Sequence, residues 1–297
     1  MNGTLFWIVN IDLGLVAAAV LFLMPTLWAI LAIRRRLHER RSRTKLPFME
    51  LKRRPAGEST RIKIISLDEK IDEHIFYLLV LPISLMTSAL ITKQSNIVVT
   101  LILLGASVPW TLVFKTKVIK LLEERRNYQL GFDGERYVGE ELSRLITLGF
   151  EIYHDVPFDG FNMDHVLVGR QGIFVIETKT RSKPLNKIGD KEYHVEFDGK
   201  CLHWPWGTDQ EDIKQTSDNA EDLRNWLSGA VGEAVEVSGI LTIPGWWVDR
   251  TAPNNDIQVL NPKEIYTACD LRKSKLTDEM VQRVCHQLDQ KCRVEIK

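Results

Sequence analysis

Three charged side chains, Asp164, Glu177 and Lys179, are spaced so that they could carry out metal-assisted hydrolysis. The apolar segments on either side of Arg170-Gln171 predict two antiparallel strands, and a turn centred there places Asp164 opposite Glu177. Residues directly opposite have Cβ atoms about 5 Å apart, so two carboxylates would repel each other there. A divalent cation between them would remove that repulsion, and Mg²⁺ takes oxygen ligands of this kind. Lys179 comes two residues after Glu177, so it is expected on the same face of the strand.

The elements that must position these groups include both strands and helices. The apolar run Ile173–Ile176 predicts a buried strand that is central in its sheet. Hydrophobic spacing predicts three helices, over Glu135–Leu148, Asp209–Leu227 and Thr277–Cys292. The predicted strands are Glu151–Phe158, His165–Val168, Ile173–Lys179, Tyr193–Phe197, Lys200–Trp204, Val235–Pro244 and Ile257–Leu260.

Glu135 lies at the predicted start of an amphipathic helix, which Asp133 is placed to cap and Gly149 to end. Its position, three residues before Val138, puts it on the inward side of that helix. Two explanations for Glu135 remain open. It either interacts with the helix dipole, as acidic residues at helix starts usually do, or it belongs to the acidic site.

The order Asp-(12 residues)-Glu-x-Lys is the pattern of the PD-(D/E)xK nucleases. The flanking residues make the pattern more specific: Gly134-Glu135 comes earlier, Met163-Asp164-His165 precedes an apolar strand, and Gly172–Lys179 follows a turn. Together these segments closely resemble the nuclease-related domain family, known as the NERD domain, from about Gly131 to Lys183.

This resemblance implies a fold and a set of roles. The expected fold class is α/β, a restriction-endonuclease-like mixed sheet with flanking helices, preceded by an all-α transmembrane region of three helices. Asp164 and Glu177 would hold Mg²⁺ or Mn²⁺, and Glu135 would complete the acidic cluster directly or through water. Lys179 would orient or activate the attacking water and balance charge on the phosphate. The expected reaction is metal-assisted hydrolysis of phosphodiester bonds in DNA or RNA.

Several neighbouring polar and aromatic residues have two explanations. Gln215 and Asn219 either contact nucleic acid or are capping or exposed amides. His165 should point away from Asp164, so we expect a structural histidine. The tryptophans near the site either stack on bases or, by default, pack the loops that carry them: Trp204, Trp206, Trp246 and Trp247.

The net charge of zero hides two unlike halves. Residues 1–114 contain 14 Lys/Arg and 8 Asp/Glu, a net charge of +6, whereas residues 115–297 contain 25 and 31, a net charge of −6. The acidic half counts against tight binding of duplex nucleic acid. The hydrophobic fraction of 44% excludes a disordered or fibrous chain, and four scattered cysteines without a CxxC pair argue against a disulfide scaffold or a zinc knuckle.

Three uncharged runs in the basic half predict membrane spans. Leu13–Ile33 is 21 residues long, close to the length needed to cross a bilayer. Ile75–Ile91 and Ile97–Phe114 are shorter and predict a spanning helical hairpin, with a re-entrant or interfacial hairpin as the alternative. Residues 34–63 contain 12 Lys/Arg, which places that segment on the cytoplasmic side. The expected location is the cell (inner) membrane, multi-pass, with the N-terminus outside and the C-terminal domain cytoplasmic.

The predicted organisation has five parts. They are an N-terminal transmembrane anchor over 1–33, a basic cytoplasmic segment over 34–74, a transmembrane hairpin over 75–114, a helical linker over 115–130 and a NERD-like nuclease domain over 131–297.

Three hypotheses for function follow. The first is a membrane-anchored, Mg²⁺-dependent nuclease, the second a nucleic-acid-binding or sensing module with little catalysis, and the third a membrane scaffold. The expected partners are DNA or RNA and the lipid bilayer, and a homo-oligomer is left open. Three charges on one face favour the nuclease.

Overall fold

A computed structural model describes residues 53–91, 97–183, 193–253, 257–269 and 274–293. Two long helices come first, α1 over Glu58–Ile91 and α2 over Ile97–Ser143. Three further helices follow: α3 over Glu211–Val231, the single turn α4 over Ile265–Ala268, and α5 over Asp278–Lys291. The strands are β1 Glu151–Pro157, β2 Asn162–Gly169, β3 Gly172–Thr178, β4 His194–Phe197, β5 Leu202–Trp204, β6 Gly207–Asp209, β7 Val237–Thr242, β8 Trp247–Arg250 and β9 Ile257–Leu260.

The larger sheet is mixed and has the order β1-β2-β3-β7-β9. Strands β1, β2 and β3 are antiparallel neighbours, whereas β7 and β9 are parallel to β3. One face of the sheet packs against α3 and α5, and the other packs against the C-terminal part of α2 and the turn α4. Because every residue of β3 is buried, this strand is central, as its apolar sequence predicted. A mixed α/β sheet with flanking helices fits a nuclease-like fold.

A smaller sheet has the order β6-β5-β4-β8. Its inner face forms a separate apolar cluster that includes Phe197, Leu202, Trp204 and Trp246 together with residues of β7 and β9. Strands β6 and β8 were not predicted from the sequence. Each is only three or four residues long, too short for a recognisable alternation of apolar and polar residues.

The long helices differ from the sequence prediction. Helix α1 ends at Ile91 and α2 begins at Ile97, as predicted, but α1 begins at Glu58 rather than Ile75, and α2 continues without a break to Ser143. The predicted start of a new helix near Asp133 is therefore wrong. Uncharged runs locate apolar segments, not helix ends, and the Glu, Lys, Arg and Leu residues beyond them are good helix formers.

Within the described residues, no helix is long and apolar enough to cross a membrane. The structure therefore gives the transmembrane hairpin predicted over 75–114 no support. The first predicted span, Leu13–Ile33, lies outside the described residues, as do residues 34–52 of the basic segment.

The described residues form two compact units. One unit includes Ile65–Arg126, and the other includes residues 53–64 and Asn127 onward. The boundaries fall inside α1 and α2, so the chain leaves the larger unit along one helix and returns to it along the other. Both sheets and all the candidate site residues belong to the larger unit.

Candidate active site

The centre of the site is Glu177, the sixth residue of the buried strand β3. The β2–β3 ladder pairs Val168 with Ile173 and His165 with Ile176, which is the register predicted from the sequence. On the other side of β3, the parallel pairing with β7 places Glu177 beside Leu241, and only 3% of Glu177 is exposed. A carboxylate at such a position requires polar partners, because an ionised group buried without them is very costly.

Helix α3 provides those partners. Asn219 donates from Nδ2 to Glu177 Oε2 at 3.0 Å, and Gln215 donates from Nε2 to Oε1 at 2.9 Å. The two amides are four residues apart, so they lie on one face of the helix. Lys179 Nζ lies 3.0 Å from Glu177 Oε1 and donates to Gln215 Oε1 at 2.8 Å. Glu177, Lys179 and Gln215 therefore form a closed ring of charge-assisted contacts.

Asp164 joins the site where the β2–β3 ladder ends. The backbone N–H of Thr178 donates to Asp164 Oδ2 at 2.7 Å. The last pair of the ladder at this end is His165–Ile176, and beyond it the Asp164 carboxylate accepts a hydrogen bond that a backbone carbonyl of β2 would otherwise accept. Asp164 and Glu177 are thereby kept at the same end of the hairpin. The contact fixes Asp164 to the strand that carries Glu177 and Lys179.

Glu135 approaches the site from α2. The preceding residue, Gly134, lies so close to the end of β3 that a Cβ there would overlap the side chain of Thr180. Thr60, from the first turn of α1, donates to Glu135 Oε1 at 2.9 Å. Because α2 runs through this point unbroken, Glu135 is not at a helix start, and the helix-dipole explanation for this residue is wrong.

The segment that carries Thr60 is fixed by several other contacts, none of which the sequence indicated. Arg54 lies 3.1 Å from Asp155 Oδ2, and Ser59 donates to Asp155 Oδ1. Asp155 is buried and has a φ of 50°, an uncommon value for a residue other than glycine. Arg53 lies 4.2 Å from the centre of the Tyr153 ring and pairs with a carboxylate of β1. Residues 53–60 are therefore attached to β1 as well as to α2.

The electrostatics of the site disfavour its acidic groups in their ionised forms. Burial raises the pKa of the Asp164 carboxyl well above its usual range, and Glu177 and Glu135 add to the effect. Burial also raises the pKa of Glu177 against the attraction of Lys179, and it raises the pKa of Glu135 to about 7. For Lys179, burial is the largest influence and lowers the pKa, but the combined attraction of the surrounding carboxylates, Glu177 first, outweighs it and raises the pKa.

The donor set fits a hard cation better than a soft one. Among the described residues, no group of three or more His, Cys, Asp or Glu could hold a metal ion. The two carboxylates of Asp164 and Glu177 remain as candidate ligands for a metal ion. Mg²⁺ is commonly bound by one or two carboxylates, with waters and phosphate oxygens as its other ligands. Two carboxylates with raised pKa values suit such an ion, because a cation would relieve the cost of ionising them.

The remaining sequence candidates have varied positions. Gln215 is exposed while it touches both Glu177 and Lys179, so it is within reach of a ligand. Asn219 is buried against Glu177, which leaves it no surface for a substrate. His165 is fully buried, and its Nδ1 lies 2.7 Å from Nδ1 of His154, in agreement with a structural role.

Sequence reasoning did not find the ion pair that Asp212 and Arg181 form in the site. Asp212, in the first turn of α3, has a carboxylate oxygen 3.8 Å from Lys179 Nζ and another 2.8 Å from Arg181. The spacing Glu177-x-Lys179-x-Arg181 could have suggested that Arg181 faces the same way. Nothing in the sequence pairs Lys179 or Arg181 with Asp212, because α3 lies more than thirty positions further along the chain.

Part of the chain matches a known protein family. Residues 130–244 match the family model of the nuclease-related domain, NERD. The match begins inside α2, includes Glu135, Asp164, Glu177 and Lys179, and ends just after β7. A nuclease-related domain is thus present in this part of the chain. No curated protein and no solved structure matches the chain.

Proposed function

We propose that this protein hydrolyses phosphodiester bonds of nucleic acid at the site formed by Glu135, Asp164, Glu177 and Lys179. The single observation that carries the proposal is the buried Glu177, held by two amides and paired with Lys179 at the end of the central strand. Buried charged networks with perturbed pKa values are typical of catalytic sites. The nuclease-related domain at residues 130–244 supports a nuclease-like activity.

In this proposal each side chain has a separate role. The ammonium of Lys179 binds a non-bridging phosphate oxygen and neutralises its developing charge. Gln215 keeps Lys179 in position, and Asn219 fixes the orientation of the Glu177 carboxylate. Glu135, with its pKa raised to about 7, accepts a proton from the attacking water, because a base with a pKa near the working pH is the most effective.

Asp164 and Glu177 are the residues that would hold Mg²⁺ or Mn²⁺. Such an ion would lower the pKa of a bound water and polarise the phosphate. The protein contributes the rigid attachment of both carboxylates, Asp164 through the Thr178 amide and Glu177 through α3. We expect that chelation of divalent ions abolishes cleavage and that Mg²⁺ or Mn²⁺ restores it.

The test is a cleavage assay on the full chain with labelled single- and double-stranded DNA and RNA. Metal dependence is measured by titrating Mg²⁺ and Mn²⁺ into protein treated with EDTA. Lys179→Ala and Glu177→Gln should lower the rate at least about 100-fold, a typical loss when a transition-state contact is removed. Lys214→Ala and Glu211→Gln, at exposed positions of α3, are matched controls and should cleave normally. Equal rates in the site variants and the controls would contradict the proposal.

A second candidate is a nucleic-acid-binding module with little catalysis. The observation in its favour is that both Glu177 carboxylate oxygens already accept hydrogen bonds from protein side chains. Metal-independent binding that survives Glu177→Gln, in a protein that cleaves none of the four substrates, would favour this candidate.

We further propose that the chain is attached to the cell (inner) membrane by its N-terminal region, with its C-terminal domain in the cytoplasm. The support is in the sequence: 21 consecutive uncharged residues over Leu13–Ile33, followed directly by Arg34, Arg35 and Arg36. Extraction of cell membranes at alkaline pH tests this proposal, since an integral protein stays in the pellet. Release into the supernatant would contradict it.

A further inference from the structure

Beside the candidate site, three groups form a stacked column. The guanidinium carbon of Arg181 lies 5.9 Å from the centre of the Trp204 ring. Trp206 is stacked on Trp204, with the ring centres 5.4 Å apart and the planes inclined by 12°. Trp246 meets Trp204 and Trp206 edge-on, at 5.0 and 5.4 Å. Trp204 is thus in contact with both Arg181 and Trp206, and these three residues are called the column.

The outer end of this column is open to solvent. Trp204 and Trp246 are 7% and 1% exposed and belong to the apolar cluster of the small sheet, so packing explains them. Trp206 is 54% exposed although one of its faces lies on Trp204 and an edge contacts Trp246. Water therefore reaches the remaining surface of a ring that its neighbours hold in a fixed orientation.

The column is continuous with the candidate active site. The indole N–H of Trp246 donates to the backbone carbonyl of Arg181 at 3.1 Å. Arg181 contacts Asp212 at 2.8 Å, and Asp212 lies 3.8 Å from Lys179 Nζ. An unbroken series of contacts thus connects Glu177 and Lys179 with Trp206. Three side chains, those of Asp212, Arg181 and Trp204, therefore separate Lys179 from Trp206 in this series.

We propose that Trp206 is a stacking platform for an unpaired base, and that the substrate is single-stranded nucleic acid or a single-stranded end. This inference rests on the proposed function. Aromatic side chains bind successive unpaired bases by their faces with little regard to sequence, whereas in a duplex those faces are covered by neighbouring base pairs.

The charges near the column also favour unpaired strands over duplex. Arg181 is matched by Asp212 and Asp209, so it has little excess charge to offer a phosphate backbone. Residues 115–297 as a whole carry 25 basic and 31 acidic side chains. Duplex binding depends largely on the neutralisation of phosphates, which this surface provides poorly. Stacking therefore supplies the affinity that charge does not.

Trp247 provides a matched control. It is more exposed than Trp206, at 65%, and belongs to the same small sheet. It lies on β8, at the opposite edge of the order β6-β5-β4-β8 from the β5–β6 turn that carries Trp206. Its aromatic neighbour is His194, and its indole N–H donates to Asp249. Loss of Trp247 removes as much aromatic surface without touching the column.

The experiment measures binding by the full chain in EDTA, where cleavage cannot occur. The probes are a labelled single strand of about 12 nucleotides, the same strand with abasic sites, and the corresponding duplex. We expect the intact single strand to bind more tightly than the other two probes. Trp206→Ala should weaken its binding by about 5- to 150-fold, the range given by loss of one base–aromatic stack, while Trp206→Phe keeps most of the affinity. Trp247→Ala should bind like the unaltered protein.

Three comparisons of affinity would each overturn the platform. They are equal affinity for the abasic and intact strands, tighter binding of the duplex, and equal loss in the Trp206→Ala and Trp247→Ala variants. If Trp206→Ala dissociates an oligomer and leaves the affinity unchanged, the ring is a protein contact and the inference fails. Cleavage that does not depend on Trp206 would remove the platform and retain the proposed function. Binding that depends on Trp206, in a protein that never cleaves, would retain the platform and remove the proposed function.

Discussion

Replacement of Glu135 by glutamine should stabilise the protein in the absence of divalent ions, and by more at pH 8 than at pH 5. Glutamine keeps the shape of the side chain and still accepts the hydrogen bond from Thr60 at Oε1, so it resembles the protonated acid. What the substitution removes is the cost of a negative charge in a buried position beside other carboxylates. We therefore expect a gain in stability from the loss of a residue assigned to catalysis, as found where active sites sacrifice stability for function.

The magnitude follows from the pKa of Glu135, which burial raises from 4.5 to about 7 in the folded state. Below pH 4.5 the acid is protonated in both states and contributes nothing. As the pH rises from 4.5 to 7 the unfolded state ionises first, so stability is lost across this window and the loss is complete above it. One pKa unit corresponds to about 1.4 kcal/mol, which gives a penalty of about 1 kcal/mol at pH 5 and about 3 kcal/mol at pH 8.

The assay is urea unfolding of the full chain in EDTA at pH 5 and pH 8, with tryptophan fluorescence as the signal that monitors unfolding. The free energy of unfolding of Glu135→Gln should exceed that of the unaltered protein by about 3 kcal/mol at pH 8 and by about 1 kcal/mol or less at pH 5. Glu211→Gln, at an exposed position, should show no difference at either pH. A Glu135→Gln effect of the same size at both pH values would refute the reasoning, because the penalty would not come from ionisation.

Three other outcomes are expected. Asn219→Ala removes the donor to Glu177 Oε2 and should lower the free energy of unfolding by about 1.5–3 kcal/mol. Asp218→Ala, at an exposed position of the same helix, should change it by less than about 0.5 kcal/mol. Urea unfolding at pH 7 measures both free energies. Thr60→Val should slow cleavage about 10-fold, and Thr60→Ser should restore the rate, because only the hydroxyl contacts Glu135; full activity in the valine variant would show that the contact is unimportant. Mg²⁺ at about 100 times its Kd should stabilise the unaltered protein by about 2.7 kcal/mol and the Glu177→Gln variant by much less, and equal shifts in urea midpoint would place the ion elsewhere.

The parts of the site that the sequence predicted are those determined by local rules. The turn at Arg170-Gln171 and the two-residue alternation of strands were enough to give the β2–β3 register and to place Asp164, Glu177 and Lys179 together. The closing helix was predicted almost to the residue, since Thr277 caps it and its apolar spacing is regular.

The parts that could not be predicted depend on contacts between distant positions. Thr60 lies 75 residues before Glu135, and its hydroxyl has no motif that distinguishes it from other threonines. Asp155 looked like an ordinary strand residue until Arg54 and Ser59 were seen to converge on it. The length of α2 was missed because Gly131, Asp133 and Gly134 resemble a helix boundary, although Gly134 is required there for close packing.

The attachment of residues 53–60 makes the boundaries of the sequence family differ from the boundaries of the folding unit. The residues that match the family model begin at 130. Asp155 and Glu135 nevertheless accept hydrogen bonds from Ser59 and Thr60, which lie about seventy positions before that start. Residues 65–126, which belong to the other unit, therefore interrupt the larger unit along the chain. A fragment beginning near residue 115 would leave Asp155 buried without Arg54 and Ser59. A sounder minimal protein would keep residues 53–64 and rejoin them to residue 127 through a short flexible linker.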